Sequence, residues 1–214
     1  MIYVYEFLFT FFMAFFCSDL GQTSIEQGFQ IFFTFAFIYA VNKKVYVNIS
    51  LCLSFLVTAY RSIAEVIICL VITVAGSFFA LLMLTASGYS RSIYKPDLQT
   101  WQIFIVELVA AFFVSIVYYC MFVDLRMAKE FSGAVAVAAM YGAFTIAFPK
   151  LPAGNFIKVI AGFNTDMNLV MGSLAGQVVG SLAAGLFYKI MICENNNIKK
   201  KELDIGSQKN NISF

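Results

Sequence analysis

Two carboxylates lie inside otherwise apolar stretches of the sequence. Glu6 and Glu107 each precede a pair of phenylalanines by five and six residues, and 101 residues separate the two glutamates. An ionisable side chain within a membrane-length apolar stretch is unfavourable there, so it is a candidate functional residue by default. A proton relay is the first chemistry that such buried carboxylates suggest.

Two asparagines open two short apolar segments. Asn48 precedes the run 51–57, and Asn155 precedes the run 156–163, in which Lys158 is the only charge. Asparagine is a good helix N-cap, because its side-chain oxygen accepts a hydrogen bond from the first backbone N–H groups. Two roles are open for Lys158. It either places a positive charge at the narrow part of a membrane channel or extends its ammonium group to a membrane interface.

Other kinds of chemistry are excluded by what the sequence lacks. It contains no histidine, the commonest general base and metal ligand, which excludes hydrolytic triads and histidine-ligated metals. Its five cysteines form no CxxC pair or other metal spacing. The net charge of +2 is too balanced to suggest nucleic acid binding. We therefore predict no enzyme, no cofactor, no metal site and no nucleic acid partner.

The composition indicates that lipid surrounds most of this chain. Of its 214 residues, 61% are hydrophobic and 12% are charged, against roughly 45–50% and about 25% in soluble domains. The mean hydropathy is +0.84. A soluble globule of this size has too little interior to bury so much apolar surface.

The apolar runs predict six membrane-spanning helices, because one span needs about 20 residues, with a range of roughly 17–25. The predicted spans are 2–17, 26–41, 63–86, 101–123, 132–149 and 167–193. The runs 51–57 and 156–163 are too short to span, and each follows the second span of its half. With both termini in the cytosol, ten Lys and Arg residues lie on the cytosolic side and four opposite, as the positive-inside rule expects. The polar tail, 194–214, is predicted to be disordered.

The sequence also contains a weak internal repeat. Gly76 of the third span recurs as Gly180 of the sixth after 104 residues, and the two asparagines are 107 residues apart. Together with the glutamates, these offsets nearly agree and occur in order. Three spans per copy is an odd number, so the second copy enters the membrane from the opposite side. We predict an inverted repeat of 1–90 and 91–193, with a site near the midplane where the two short segments meet.

This framework resembles the aquaporin family of water and glycerol channels over about residues 2–193. In that family each half carries Asn-Pro-Ala at the start of a half-helix. Segment 48–50, Asn-Ile-Ser, resembles the first motif, and segment 155–158, Asn-Phe-Ile-Lys, resembles the second, Asn-Pro-Ala-Arg. Segment 176–189 resembles the family's sixth span in register.

The resemblance implies an all-α membrane fold of six transmembrane helices and two re-entrant half-helices, 48–57 and 155–163. It also implies that Asn48 and Asn155 donate hydrogen bonds to water at the centre of a pore. The family forms homotetramers with one pore per subunit, and the same assembly is expected here.

Both signature motifs depart from the family pattern at the pore centre. Ile49 and Phe156 replace the two prolines, and Ser50 and Ile157 replace the alanines. Proline suits the first turn of a helix because its φ angle is fixed and its missing N–H is not needed there. We expect the bulkier Phe156 to narrow the pore or to move the two helix ends apart.

The resemblance also implies a selectivity filter. Lys158 takes the place of the filter arginine, and its flexible point charge predicts a less rigid filter than a planar guanidinium would give. Ungapped counting places Gly28 and Ala143 at the other filter positions. Both are small, which predicts a filter wider than the water-selective type unless Tyr141 or Phe29 fills it.

Glu6 and Glu107 match the buried glutamates of the family's first and fourth spans. The resemblance implies that they accept hydrogen bonds from backbone N–H groups of the two re-entrant loops, which makes them scaffold residues.

We therefore predict a multi-pass membrane protein that acts as a passive channel for water, with small uncharged solutes such as glycerol as further candidates. Two alternatives remain. The first is a non-conducting or gated protein of the same fold, closed by Ile49 and Phe156. The second is a proton-coupled secondary transporter that uses Glu6 or Glu107.

Overall fold

The structure is a computed structural model, and every secondary-structure element within the part it describes is helical. It describes residues 2–16, 23–42, 48–59, 61–88, 98–123, 130–148, 151–152, 159 and 167–210. For residues 2, 16, 24, 130, 131 and 192–210 it describes the backbone alone.

Seven α-helices occur in the described part of the chain. They are α1 (Ile2–Phe16), α2 (Ser24–Val41), α3 (Ile49–Thr58), α4 (Ile63–Ala86), α5 (Thr100–Tyr118), α6 (Glu130–Ala147) and α7 (Met167–Asn210). A short π-helical segment, Tyr119–Val123, continues α5. Each predicted long apolar run is helical, and α3 confirms a separate short helix on the run 51–57.

Three helices are long and apolar enough to cross a membrane. They are Ile63–Ala86, Thr100–Val123 and Met167–Met191. Helices α1, α2 and α6 are also apolar but have only 15 to 18 residues, about 22–27 Å at the usual rise per residue. These features define an all-α membrane protein.

Polar capping residues mark where α2 and α4 begin. Thr23 caps α2 and pairs with Glu26, whose carboxylate accepts from the Thr23 backbone N–H at 2.8 Å. Ser62 and Glu65 form the same capping box at the start of α4. Such reciprocal pairs give partners to backbone N–H groups that the first helical turn leaves open.

All the helices except α3 pack in three pairs, α1 with α4, α5 with α7 and α2 with α6. Glycines allow close approach at each crossing. Gly76 of α4 lies against the backbone carbonyl of Phe7, and Gly180 of α7 lies against that of Leu108. Gly142 of α6 lies against the carbonyl of Gly28 in α2. Small residues at crossings are typical of helix packing in membranes.

Aromatic side chains fill much of the interior, and large apolar side chains also cover the outside. The largest fully buried aromatic residues are Phe35, Tyr39, Phe55, Tyr119 and Tyr141. On α2, five exposed apolar residues follow one another at intervals of four, namely Ile25, Phe29, Phe33, Phe37 and Val41. A continuous exposed apolar ridge is expected on a surface that faces lipid.

The predicted tail, 194–214, overlaps the end of α7, whose backbone is described as helical to Asn210. Its disorder stays a prediction. Extending an existing helix needs no new nucleus, and the Lys, Glu and Leu residues around 200 are good helix formers. The backbone therefore remains helical although the apolar part of α7 ends at Met191.

Candidate functional site

The candidate site is built around α3, a ten-residue helix that lies against α4, α5 and α7. Most of its side chains are buried, namely those of Ile49, Ser50, Leu51, Cys52, Ser54 and Phe55. Because the first backbone N–H groups of any helix lack intrahelical partners, the start of α3 places polar donors inside an apolar bundle. Neighbouring side chains must therefore provide its hydrogen bonds.

Asn48 serves the start of α3 with both ends of its side-chain amide. It is fully buried, and its Oδ1 accepts a hydrogen bond from the backbone N–H of Ser50 at 3.0 Å. Its Nδ2 donates to the hydroxyl oxygen of Tyr141 on α6. The predicted N-cap is confirmed, and the amide group also links α3 to a helix 93 residues away.

Tyr141 is held from two sides. Its side chain is only 1% exposed, and its ring stacks on Phe35 of α2 with centroids 3.8 Å apart and an interplanar angle of 1°. Its hydroxyl accepts from Asn48. Of the two aromatic residues considered as filter-filling, Tyr141 therefore lies inside the bundle, whereas Phe29 is 55% exposed.

The two small residues assigned to the filter by ungapped counting have other surroundings. Gly28 is buried in the crossing of α2 and α6, where a Cβ would overlap the side chain of Ile146. Ala143 is exposed, as are Ala139 and Ala147 at helical spacing on the same face of α6. The interior of the bundle receives Tyr141, two residues before Ala143, and the filter assignment of Gly28 and Ala143 stays a prediction.

A buried polar chain connects α3 to α7 and α5. The Ser50 hydroxyl donates to Oε1 of Gln177 at 3.3 Å, and Nε2 of Gln177 donates to Oε2 of Glu107 at 2.8 Å. All three residues are at most 1% exposed. The side-chain amide of Gln177 therefore gives the buried carboxyl group of Glu107 a hydrogen-bond partner within the bundle.

Both glutamates are buried as predicted, Glu6 at 1% exposure in α1 and Glu107 at 0% in α5. Their predicted role as acceptors for loop N–H groups involves loops whose residues are largely outside the described part of the chain. This role as a loop acceptor stays a prediction. The structure shows in addition that Glu107 accepts a hydrogen bond from the side chain of Gln177.

The second half of α3 has its own anchors. Tyr119, at the start of the π-helical segment, donates its hydroxyl to Oγ of Ser54 at 3.0 Å and lies 3.3 Å from Oγ1 of Thr58. Nζ of Lys189 on α7 donates to the carbonyl of Val57 at 3.4 Å. A cation at the end of a helix interacts favourably with its dipole. Both ends of α3 are thus fixed by neighbouring elements.

Sequence reasoning missed Gln177 and the contact between Cys52 of α3 and Cys69 of α4. The two thiols lie within hydrogen-bonding reach of each other. Gln177 could have been singled out, because an amide in the middle of an apolar span commonly hydrogen-bonds to another helix. Nothing in the spacing of the two cysteines indicates that they meet.

The second half of the predicted site falls outside the described residues. Asn155, Phe156 and Lys158 all belong there. Within the segment 155–163 only Val159 is described, and it is fully buried.

Comparison with known proteins yields no match for this chain, either among protein families or among curated proteins. The described residues define an all-α membrane protein with a short, polar-capped helix buried among longer apolar helices.

Proposed function

We propose that this protein is a multi-pass membrane channel of the aquaporin kind that conducts water passively, with small uncharged solutes such as glycerol as further candidates. The observation that carries this proposal is the buried start of α3 at Asn48. A helix of ten residues is too short to cross a bilayer. Non-helical backbone beside it is tolerated at membrane depth only where it is enclosed by protein or lines a cavity.

The packing of the long helices supports six spans arranged as two inverted repeats. Gly76 packs on the carbonyl of Phe7, one residue after the first buried glutamate. Gly180 packs on the carbonyl of Leu108, one residue after the second. The predicted repeat pairs the two glutamates and the two glycines, so equivalent residues make equivalent contacts in the two halves. Inverted repeats place their site near the membrane midplane.

The electrostatics at α3 favour neutral solutes. The N-terminus of a helix carries a partial positive charge, and the Asn48 amide adds hydrogen-bond donors at the same place. Together they would attract an oxygen acceptor such as water or an alcohol and oppose a cation. Glu107, the carboxylate nearest along the polar chain, is already bonded to Gln177, which favours a scaffold role over a proton relay.

One observation favours a second candidate, a gated or closed channel of the same fold. The Asn48 amide that would meet a permeating solute donates to Tyr141 instead. Such a protein would have the fold of a channel, and it would conduct only when the Tyr141 side chain moves away from Asn48.

Osmotic shrinkage of proteoliposomes tests the proposal. We expect vesicles that contain the protein to equilibrate water faster than protein-free vesicles of the same lipid, with no dependence on a proton gradient. A Lys158→Cys variant treated with a membrane-impermeant methanethiosulfonate reagent should lose this permeability. Treated wild-type protein, which keeps its native cysteines, is the matched control.

A rate equal to that of bare lipid for the wild-type protein would contradict an open channel. Uptake that requires a proton gradient and disappears in Glu107→Gln would instead indicate a transporter.

A further inference from the structure

We propose that Tyr141 is the residue that determines permeability and solute size in this channel, an inference that rests on the proposed channel function. Two observations place it there. Its hydroxyl occupies a donor of the Asn48 amide, and its ring lies flat on Phe35 at 3.8 Å. The side chain therefore stands at the start of α3, where a permeating molecule would have to pass.

The hydroxyl of Tyr141 takes the place of a solute oxygen. An oxygen that accepts from Nδ2 of Asn48 imitates the hydrogen bond that a water or alcohol would make with the same group. A permeating molecule that uses this N–H of Nδ2 must displace the hydroxyl. That displacement raises the barrier by roughly tenfold in rate for one hydrogen bond of ordinary strength.

The ring of Tyr141 acts separately from its hydroxyl. It is buried, and its stacking partner Phe35 is itself stacked on Tyr39 with centroids 5.8 Å apart. The rings restrain one another, so Tyr141 occupies volume that stays filled when its hydroxyl is removed. The hydroxyl is thus expected to govern water permeability, and the ring to govern the size of the solute.

Two variants separate these effects. Tyr141→Phe removes the hydroxyl and keeps the stacked ring, whereas Tyr141→Ala removes both. In proteoliposomes we expect Tyr141→Phe to raise water permeability severalfold, roughly the effect of one released hydrogen bond. We expect Tyr141→Ala to raise it at least about tenfold and to raise glycerol permeability as well, which Tyr141→Phe should leave at the wild-type value.

Tyr119 provides the matched control. It is also a fully buried tyrosine whose hydroxyl bonds to α3, but its partner is Ser54 and not Asn48. Tyr119→Phe and Tyr119→Ala remove the same atoms elsewhere along α3. Because Tyr119 also helps to fix α3, we expect each to change water permeability less than the matching Tyr141 variant and neither to raise glycerol permeability. Size-exclusion profiles and thermal unfolding show whether each variant is folded, and Tyr141→Phe is the least disruptive change.

The outcomes distinguish this inference from the proposed function. A faster Tyr141→Ala variant supports the inference even where the wild-type protein is as impermeable as lipid, which would identify a closed channel. A conducting wild-type protein with unchanged Tyr141 variants overturns the inference and leaves the channel intact. Permeability at the level of bare lipid in all variants overturns both. An equal increase in Tyr119→Ala overturns the inference, because it would indicate general loosening of the bundle.

Discussion

At the scale of single residues, Asn48 has two structural tasks that depend on different atoms of one amide. Oδ1 caps α3, and Nδ2 holds α6 through Tyr141. An N-cap alone could be a serine or an aspartate, since either offers an acceptor. An amide accepts at one atom and donates from another, so Asn48 can cap α3 and reach α6 at the same time.

Replacing Asn48 should separate these two tasks. We expect Asn48→Ala to lower the free energy of unfolding by about 1–3 kcal/mol, because it loses both the cap and the bond to Tyr141. Asn48→Ser keeps an oxygen that can cap the helix, so it should lose less. Denaturant unfolding in detergent micelles measures the difference.

The exposed cap Ser62 is the control for this measurement. Ser62→Ala removes a cap from α4 without a buried donor, and we expect a loss of about 1 kcal/mol. An Asn48→Ala variant as stable as the wild type would contradict the assigned hydrogen bonds.

The link between Gln177 and Glu107 makes a second prediction at this scale. Gln177→Leu leaves a buried carboxylate without its amide donor, which should lower the free energy of unfolding by about 1–3 kcal/mol. The double variant Gln177→Leu with Glu107→Leu removes both partners and should recover part of the loss.

Thermal unfolding of both variants checks this prediction. Gln102, at the exposed start of α5, accepts from the backbone N–H of Gln99 at 2.9 Å and offers a matched Gln102→Leu control. Equal stability of the single and double variants would indicate that the hydrogen bond from Gln177 does not stabilise Glu107.

At the scale of elements, the position of α3 depends on how closely α7 can approach it. A Cβ at Gly185 would lie 2.5 Å from the backbone carbonyl of Ser54, which is too close for any side chain. The two helices therefore meet backbone to backbone at this glycine. Lys189, one turn further along α7, reaches the carbonyl of Val57 from the same side.

Enlarging Gly185 should displace α3. We expect Gly185→Val to lower the free energy of unfolding by about 1–3 kcal/mol, the usual effect of overpacking, and to change water permeability because the start of α3 moves with the helix. Ala175→Val, at an exposed position of α7, is the matched control and should leave both quantities unchanged. A well-folded Gly185→Val variant with unaltered permeability would argue against a fixed α3.

At the scale of the whole molecule, the number of spans decides the topology. Three helices meet the length and hydropathy expected of a span, and α1, α2 and α6 are shorter. Short apolar helices can still cross where the bilayer thins locally or flanking side chains extend to the interface. The six-span proposal therefore requires α1, α2 and α6 to cross as well as the three long helices.

Single cysteines at exposed positions test this topology. In a background without native cysteines, Ile25→Cys and Leu98→Cys should react with an impermeant maleimide from outside, and Ala64→Cys only from the cytosolic side. These residues lie at the starts of α2, α5 and α4. Labelling of Ile25→Cys and Ala64→Cys from the same side would show that α2 does not cross, and would exclude six spans.

The sequence by itself determined the class of protein and where the helices lie. Lipid offers no partners to backbone N–H and C=O groups, so an apolar run must satisfy them within its own helix. The run 63–86 coincides with α4 for this reason. Asn48 likewise revealed the start of α3, because capping depends on neighbours along the chain.

Only the tertiary structure decided which side chains meet at α3. Counting along the chain selected Ala143 for the filter, and only the packed bundle shows that Tyr141, two residues earlier, meets Asn48 while Ala143 is exposed. The partnership of Gln177 with Glu107 also joins residues 70 positions apart. Such contacts depend on how each helix is rotated and shifted against its neighbours. The packing of the whole bundle sets the rotation and the shift of each helix. The apolar pattern of a single helix does not determine which of two or three neighbouring residues faces a given partner.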